Sequence, residues 1–269
     1  MNKIGAQLQN LSAYLEYLQS RGRLTFTSKE AISKLKVSKI AFNRQAQRLM
    51  KKKRLIHPVR GFYVIVPVEK KLSGSPDPSW FIDDLMKFQG QPYYIGVLSA
   101  AQIHGAAHQS PQEFQVVTNS RLKPIQAGSF RIRFLTKKWM ERTPTQLVKT
   151  PSGYIPVSTP EATVFDLIQY IRWAGYLNNV STILTEISEK LDVEKLVASA
   201  KICNELALVQ RLGYLLDQFA NSKLTSKLYA YIIQKKPAFT MLQPNWESSY
   251  KRRNKKWCLI VNKKVEPDV

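Results

Sequence analysis

The hydrophobic positions of the first 66 residues recur at helical spacing and then change to strand-like runs. Leucines at i, i+3 and i+4 spacing predict a first amphipathic helix, and they are Leu8, Leu11, Leu15 and Leu18. Thr27 and Glu30 stand in the order of a capping box, which predicts the start of a short second helix. Leu55 to Val66 is rich in β-formers on both sides of Pro58-Val59-Arg60-Gly61, and this pattern predicts a hairpin.

The segment from Lys39 to Arg54 combines an apolar side with a cationic side at a period of 3.6 residues. Ser38 precedes it and is a favourable N-cap residue. The apolar side carries Phe42, Ala46, Leu49 and Met50. The opposite side carries Arg44, Gln47, Arg48 and Lys51, and the run contains no acidic residue. Two interpretations fit: a recognition helix that enters the major groove of DNA, or a solvated basic face on an ordinary helix.

The order of the elements favours DNA binding. Three helices followed by a hairpin is the order of a winged helix-turn-helix, whose wing touches DNA beside the recognition helix. On this hypothesis Arg44, Gln47 and Arg48 read base edges, and Lys51, Lys52 and Arg60 neutralise phosphates. Lys39 and Asn43, at the border of the cationic face, complete the predicted DNA contacts.

The rest of the chain predicts a second, larger domain. Lys70 to Ser79 gathers Lys, Ser, Gly and Pro like a linker, so the boundary is placed between a domain of residues 1–71 and one of residues 72–269. Tyr93 to His108 is rich in small residues and predicts a tightly packed helix. The remaining segments predict strands at Phe114–Thr118 and Phe130–Leu135, a hairpin of Leu147–Lys149 with Tyr154–Val157, a helix from Pro160, and helices throughout Val180–Phe219. The predicted fold class is α+β, a winged helix-turn-helix followed by a mixed α/β domain with a small sheet and a helical end.

Two further cationic segments are open to more than one interpretation. In Phe130–Leu135, Arg131 and Arg133 alternate with apolar residues, which predicts a cationic sheet face. That face is either a second polyanion contact or simply solvated. The tail from Ser249 to Lys264 combines a basic cluster with Trp257, and either clamps a backbone or partner, or forms a strand flanked by solubilising charge.

The charge is strongly asymmetric along the chain. The 269 residues contain 41 Lys and Arg against 19 Asp and Glu, a net charge of +22. Residues 1–71 hold 16 of these cations and only three of the acids. Such a domain attracts polyanions through counterion release, although charge alone does not choose among DNA, RNA and anionic membranes.

Enzyme and metal chemistry find little support in the sequence. The two cysteines, Cys203 and Cys258, have no metal or redox spacing, which favours a reducing cytoplasm. His104 and His108 are four residues apart, but Gly105 replaces the glutamate of a zinc-protease helix, so neither a metal nor a cofactor is predicted. No nucleophile elbow, phosphate loop or dinucleotide fingerprint occurs. The missing catalytic motifs predict a protein that is not an enzyme. No apolar run reaches the ~20 residues of a membrane span, and together with the cysteine usage this predicts a cytoplasmic protein.

Several ordered segments resemble one known family, the AbiEi antitoxins of type IV toxin–antitoxin, or abortive-infection, systems. The resemblance extends from about Leu8 to Phe219. It rests on GFYVIVP (Gly61–Pro67), FIDDLM (Phe81–Met86), YYIGVLSAAQIHGAAHQSPQEFQVVT (Tyr93–Thr118), GYIPVSTPEATVFDLI (Gly153–Ile168) and QRLGYLL (Gln210–Leu216). The tail after Phe219 is not matched.

This resemblance implies a bifunctional protein that protects against phage. In the family, the N-terminal winged helix represses its own operon by binding inverted repeats in duplex DNA. The C-terminal domain counteracts an AbiEii-type, nucleotidyltransferase-like toxin without a stable complex. On this basis DNA contacts are expected at Arg44, Gln47, Arg48, Lys51 and Arg60, while the toxin-neutralising residues cannot be assigned; Arg131 and Arg133 are candidates only.

Two other functions are compatible with the sequence. One is a winged-helix transcription factor whose C-terminal domain senses a small ligand. The other is an RNA-binding or nuclease-like protein, suggested by the cationic strand Phe130–Leu135 and the basic tail.

Overall fold

The computed structural model describes residues 10–106, 111–220 and 222–267. Leu8 of the predicted first helix and His108 of the considered histidine pair lie outside the described residues. The described part has the predicted mixed α+β composition, with helices and several sheets.

The N-terminal part folds as helices against a small antiparallel sheet. Its elements are α1 (Leu11–Gln19), β1 (Thr25–Thr27), α2 (Ser28–Leu35), α3 (Lys39–Lys51), β2 (Leu55–Val59) and β3 (Phe62–Ile65). The strand order is β1-β3-β2, with β3 antiparallel to both neighbours. The predicted caps are confirmed, since Thr27 caps α2 and Ser38 caps α3 through their hydroxyls. The strand β1 is an addition to the sequence prediction.

A six-stranded mixed sheet forms the centre of the molecule. The chain supplies α4 (Ile82–Gln89), β4 (Tyr93–Ile95), α5 (Val97–Ile103), β5 (Phe114–Thr118), β6 (Ile125–Ala127), β7 (Phe130–Thr136), β8 (Thr145–Thr150) and β9 (Gly153–Ser158). The strand order is β6-β7-β5-β4-β9-β8. The prediction of one helix from Tyr93 was wrong, because Tyr93 to Ile95 forms a central strand and the helix begins only at Val97.

Helices then cover one face of this sheet, and a second small sheet ends the chain. The helices are α6 (Pro160–Gln169), α7 (Tyr176–Ile187), α8 (Val193–Cys203), α9 (Leu206–Phe219) and α10 (Ser222–Gln234). The strands β10 (Thr240–Met241), β11 (Arg252–Asn254) and β12 (Leu259–Val261) follow, in the order β10-β12-β11. Trp257, considered above as part of a surface clamp, is instead buried against Gly213 of α9, where no Cβ would fit.

The strand β3 is buried on both of its faces. Its side chains alternate: Tyr63 and Ile65 pack with the helices α1 to α3, whereas Phe62 and Val64 pack with the six-stranded sheet and α4. Thr25 of β1 adds a hydrogen bond across this contact, its hydroxyl lying 2.5 Å from an Asp84 carboxylate oxygen. The N-terminal helices are therefore attached to the sheet through a shared strand.

The segment predicted as a linker is packed against the sheet. Ser75 and Pro76 are buried, and the Ser75 hydroxyl lies 2.6 Å from that of Ser129 in the β6–β7 turn. Contacts of this kind restrict the segment between the two predicted domains. The division at residues 71 and 72 itself stays a prediction.

Within the described residues, no helix combines the length and the apolar character that a bilayer crossing requires.

We expect the N-terminal helices and the sheet to unfold in one transition, because β3 belongs to both cores. Ile65→Ala, on the helix side of β3, should lower the unfolding free energy by about 2–4 kcal/mol. All five tryptophans lie after residue 71, so their fluorescence reports only on the rest of the chain. Denaturant titration should nevertheless move the midpoints of tryptophan fluorescence and circular dichroism together.

Ile40→Ala is the control for this experiment, because Ile40 is an exposed aliphatic residue of α3 and its loss should change stability by less than about 0.5 kcal/mol. An early dichroism transition in the Ile65 variant, with fluorescence unmoved, would show that the two cores unfold separately.

Candidate nucleic-acid interface

The buried side of α3 fixes the direction of its cationic side. Phe42, Ala46 and Leu49 are buried with α1, α2 and the strands β1 to β3. The Ser38 hydroxyl accepts a hydrogen bond from the Ala41 amide at 3.2 Å and starts the helix. Since these positions face inward at helical spacing, the intervening positions point to solvent.

Every predicted DNA-contact residue is exposed. On α3 and its C-cap these are Lys39, Asn43, Arg44, Gln47, Arg48, Lys51 and Lys52, and Arg60 is exposed at the hairpin. Within the described ranges, no ion pair joins any of these cations to an acidic side chain. The face therefore presents its positive charge to solvent.

Polar contacts hold α3 against the first helix. The Gln45 side-chain oxygen accepts a hydrogen bond from the Leu11 amide at 2.8 Å, at the start of α1. Arg54, just beyond α3, donates to the Ser12 hydroxyl at 2.7 Å. Phe42 meets the ring of Tyr63 edge-on, with 5.4 Å between centroids. These contacts explain why Gln45 and Arg54, although polar, do not belong to the exposed face.

Hydrogen bonds around the partly buried Glu30 carboxylate hold the N-terminal end of α2 in place. The Thr27 hydroxyl accepts from the Glu30 amide at 3.1 Å, as the capping box predicts. The Glu30 carboxylate accepts from Arg23 at 2.7 Å and from the Tyr14 hydroxyl at 3.0 Å. The hydrogen bond from Arg23 lowers the pKa of Glu30. Lys36 then adopts a left-handed conformation, φ 52°, and turns the chain into α3.

The hairpin between β2 and β3 is short and tied to α2. Gly61 has φ +86°, a conformation that favours glycine, and its carbonyl accepts from the Ser28 amide at 2.9 Å. The Gly61 amide donates to the His57 ring at 3.2 Å. Arg60 is thus an exposed side chain on a restrained turn.

Two exposed residues of this surface were not among the sequence predictions. Ile40, in the first turn of α3, is 66% exposed, and Lys53 is exposed at its C-terminal end. Lys53 extends the run Lys51-Lys52, so its place on the cationic surface could have been predicted from the sequence. Ile40 carried no such signal, because an apolar residue next to Phe42 is equally consistent with the core.

Comparison with known proteins finds a family match in the part of the chain that comes after the N-terminal helices and hairpin. Residues 94–218 match the family model described as the AbiEi antitoxin C-terminal domain. We call residues 94–218 the AbiEi domain, after the model that they match. Over these residues the resemblance stated from the sequence motifs is confirmed, and it points to an antitoxin of a toxin–antitoxin system.

The structure comparison concerns the fold. The crystal structure of the RV2827C protein from Mycobacterium tuberculosis is similar to this chain, with a TM-score of 0.68 and 14% sequence identity. The match covers 93% of this chain and 90% of that chain. At this identity the likeness shows that the fold is shared over nearly the whole length. No curated protein matches the chain at a significant level.

The AbiEi domain contains a buried charge pair. Asp166 of α6 is fully buried, and its carboxylate accepts from Lys137 at 2.7 Å and from the Tyr94 hydroxyl at 2.9 Å. Burial, and then the Asp166 charge, raise the pKa of Tyr94 far above its ordinary value. The residues around Asp166 in the sequence do not indicate this burial, since its partners lie 29 and 72 residues away. Breaking such a pair leaves an uncompensated charge in the core.

A cavity of about 370 Å³ opens beside this pair. Lys138, Trp139 and Arg142 line it on one side and Cys203 on the other. Burial raises the pKa of the Cys203 thiol. Among the described residues, no group of three or more His, Cys, Asp and Glu side chains is placed to hold a metal ion. His104 is buried, with its Nε2 2.7 Å from the Ser158 carbonyl oxygen.

Arg131 and Arg133 are both engaged within the AbiEi domain. Arg133 contacts the Glu113 carboxylate through two nitrogens, at 2.6 and 2.8 Å, and its guanidinium lies 4.1 Å from the centre of the Trp173 ring. Arg131 adds a third contact to Glu113 at 3.2 Å. The hydrogen bond from Arg133 lowers the pKa of Glu113. Charge already neutralised in this way is less available to a polyanion.

We expect Arg133→Ala to weaken the fold and to leave duplex DNA binding within about twofold. Loss of a charge-assisted hydrogen-bond pair to a largely buried carboxylate should cost about 1.5–3 kcal/mol in denaturant titration. Arg131→Ala removes two longer contacts of a half-exposed arginine, to Glu113 at 3.2 Å and to Gln126 at 3.3 Å, and should cost less than about 1 kcal/mol. A loss of DNA affinity with unchanged stability would instead establish Arg133 as a polyanion contact.

Proposed function

We propose that this chain is the DNA-binding autorepressor and antitoxin of a type IV toxin–antitoxin system. In this proposal residues 1–71 act as a winged helix-turn-helix that binds inverted repeats in promoter DNA. Residues 72–269, which include the AbiEi domain, counteract a nucleotidyltransferase-like toxin without forming a stable complex. Neither activity, as proposed, uses a cofactor.

The observation that supports DNA binding best is the unpaired cationic face of α3. Four of its residues, Arg44, Gln47, Arg48 and Lys51, are exposed while the opposite side of the helix is buried. A major groove accepts a helix of this kind, and arginine and glutamine are suited to guanine and adenine edges. In the proposed complex Arg44, Gln47 and Arg48 read bases.

The remaining residues of the proposed interface contact phosphates. Lys39, Lys51 and Lys52 stand at the ends of the helix, where the groove walls pass. Arg60 contacts the backbone from the hairpin, which acts as a short wing. Asn43 borders the face and contributes least.

Arg44→Ala combined with Arg48→Ala should abolish specific retardation of the chain's own promoter DNA. Each bidentate base contact supplies about 1–3 kcal/mol, so the double variant should lose at least about 30-fold in affinity. Lys51→Ala should instead weaken binding to all sequences and reduce the slope of log affinity against log salt by about one.

The charge-matched control is Arg121→Ala combined with Arg172→Ala, two exposed arginines outside α3. Circular dichroism serves to check that each variant is folded. Undiminished specific binding by the α3 variant, or an equal loss in the control, would contradict the proposed interface.

Growth rescue separates the two proposed activities. When the chain is co-expressed with the toxin encoded beside it, the Arg44→Ala, Arg48→Ala variant should still restore growth, because neutralisation is assigned to the AbiEi domain. Colony counts at matched protein levels measure this. Loss of rescue by the folded variant would place toxin neutralisation on the DNA-binding surface.

A ligand-sensing transcription factor is the alternative, and the cavity beside Trp139 and Cys203 is the observation that favours it. Its volume is within the range of small-molecule sites. Such a regulator would bind DNA through the same helix α3 but would give no growth rescue, so the co-expression experiment distinguishes the two functions.

A further inference from the structure

Half-exposed aromatic rings of the C-terminal end, beyond the residues that match the AbiEi model, gather with Tyr176 of the AbiEi domain around a lysine side chain. Trp246 and Tyr250 are each 48% exposed, and Tyr176, at the start of α7, is 46% exposed. The Lys263 ammonium lies 4.8 Å from the centre of the Trp246 ring and 5.8 Å from that of Tyr176. We call Tyr176, Trp246, Tyr250, Arg252 and Lys263 the aromatic belt.

The belt continues from Trp246 to Tyr250 and Arg252. Trp246 and Lys251 line the same open recess in the loop between β10 and β11. Arg252 of β11 pairs with Val261 of β12, two residues before Lys263. Arg252, with Tyr250 just before it, is therefore placed beside the segment that carries Lys263.

A buried asparagine holds the loop that carries Trp246. Asn262 is fully buried, and its amide donates to the carbonyls of Gln243 at 2.9 Å and Trp246 at 3.0 Å. Its side-chain oxygen accepts from the Gln243 amide at 3.0 Å. Because these bonds fix the backbone, Trp246 loses little conformational freedom when a ligand stacks on it.

The charge around the belt favours an anionic ligand. Residues 235–267 contain nine Lys and Arg against two Glu. One of these acids, Glu266, pairs with Lys264, and the other, Glu247, is exposed in the loop beside Trp246. The partner must therefore offer negative charge together with flat, accessible aromatic surface.

We propose that the aromatic belt binds single-stranded RNA. Base stacking on Trp246, Tyr250 and Tyr176 would supply most of the affinity, with phosphates neutralised by Lys263 and Arg252. Duplex DNA hides its base faces within the stack, whereas RNA loops and ends expose them. The belt is thus complementary to a different polymer from the one proposed for α3.

The test measures fluorescence anisotropy of a labelled 15-nucleotide single-stranded RNA with the full-length protein. Trp246→Ala combined with Tyr250→Ala should weaken binding by roughly 25-fold or more, since each base–aromatic stack contributes a factor of about 5 to 150. Trp246→Phe, which keeps a ring, should retain most of the affinity. The Arg44→Ala, Arg48→Ala variant should bind this RNA normally, so failure of the DNA proposal and failure of this one are distinguishable.

Trp139→Ala is the matched control, because Trp139 is also exposed, at 55%, and also lies within 5.1 Å of cations, Lys138 and Arg142. It should leave RNA affinity unchanged. An equal loss in the Trp139 variant, no loss in the belt variant, or complete displacement of RNA by an equimolar random-sequence duplex would each overturn the proposal.

Discussion

The structure depends on one strand that has no free face. β3 places Tyr63 and Ile65 in the core of the N-terminal helices and Phe62 and Val64 in the core of the central sheet. A strand covered on one face alone would tolerate a change in the angle between the helices and the sheet. Here such a change would expose apolar side chains from both cores, at about 25 cal/mol for each Å² uncovered. The orientation of α3 relative to the AbiEi domain is therefore set by hydrophobic packing.

Local features of the fold were predictable because their causes are local. Thr27 and Ser38 each cap the helix that their position in the sequence predicts, since a cap depends only on the next three residues. Thr159 caps α6 in the same way, directly before Pro160, where a helix was predicted to begin. The alternation in β7 was read in the same way, and Phe130, Ile132 and Phe134 are buried as expected. The amphipathic pattern of α3 gave the exposed residues of the candidate interface correctly.

Features that depend on distant partners were not predictable. Tyr93 to Ile95 is a strand because β5 and β9 pair with it on either side. Its β-forming residues are too few to show where the strand ends, since the small residues that follow are typical of a packed helix. Asp166 is buried because Lys137 and Tyr94 reach it through the fold. The Lys70–Ser79 segment has the composition of a linker, yet Ser75 is buried by its contact with the β6–β7 turn. The composition of a segment indicates only its local conformational preference. In each of these cases tertiary contacts determined the conformation or the burial.

The cationic surfaces differ less in their total charge than in whether their arginines already contact acidic or aromatic side chains of the protein. Arg133 is held by Glu113 and Trp173, so its charge is largely satisfied by the protein. Arg44 and Arg48 have no acidic partner in the described part of the chain and stand on a helix whose buried side leaves no freedom to turn them inward. Binding a polyanion at Arg133 would first break favourable contacts, whereas binding at α3 would not. For this reason the same residue type, within one strongly basic chain, stabilises the fold in one place and leaves its charge available to a polyanion in the other.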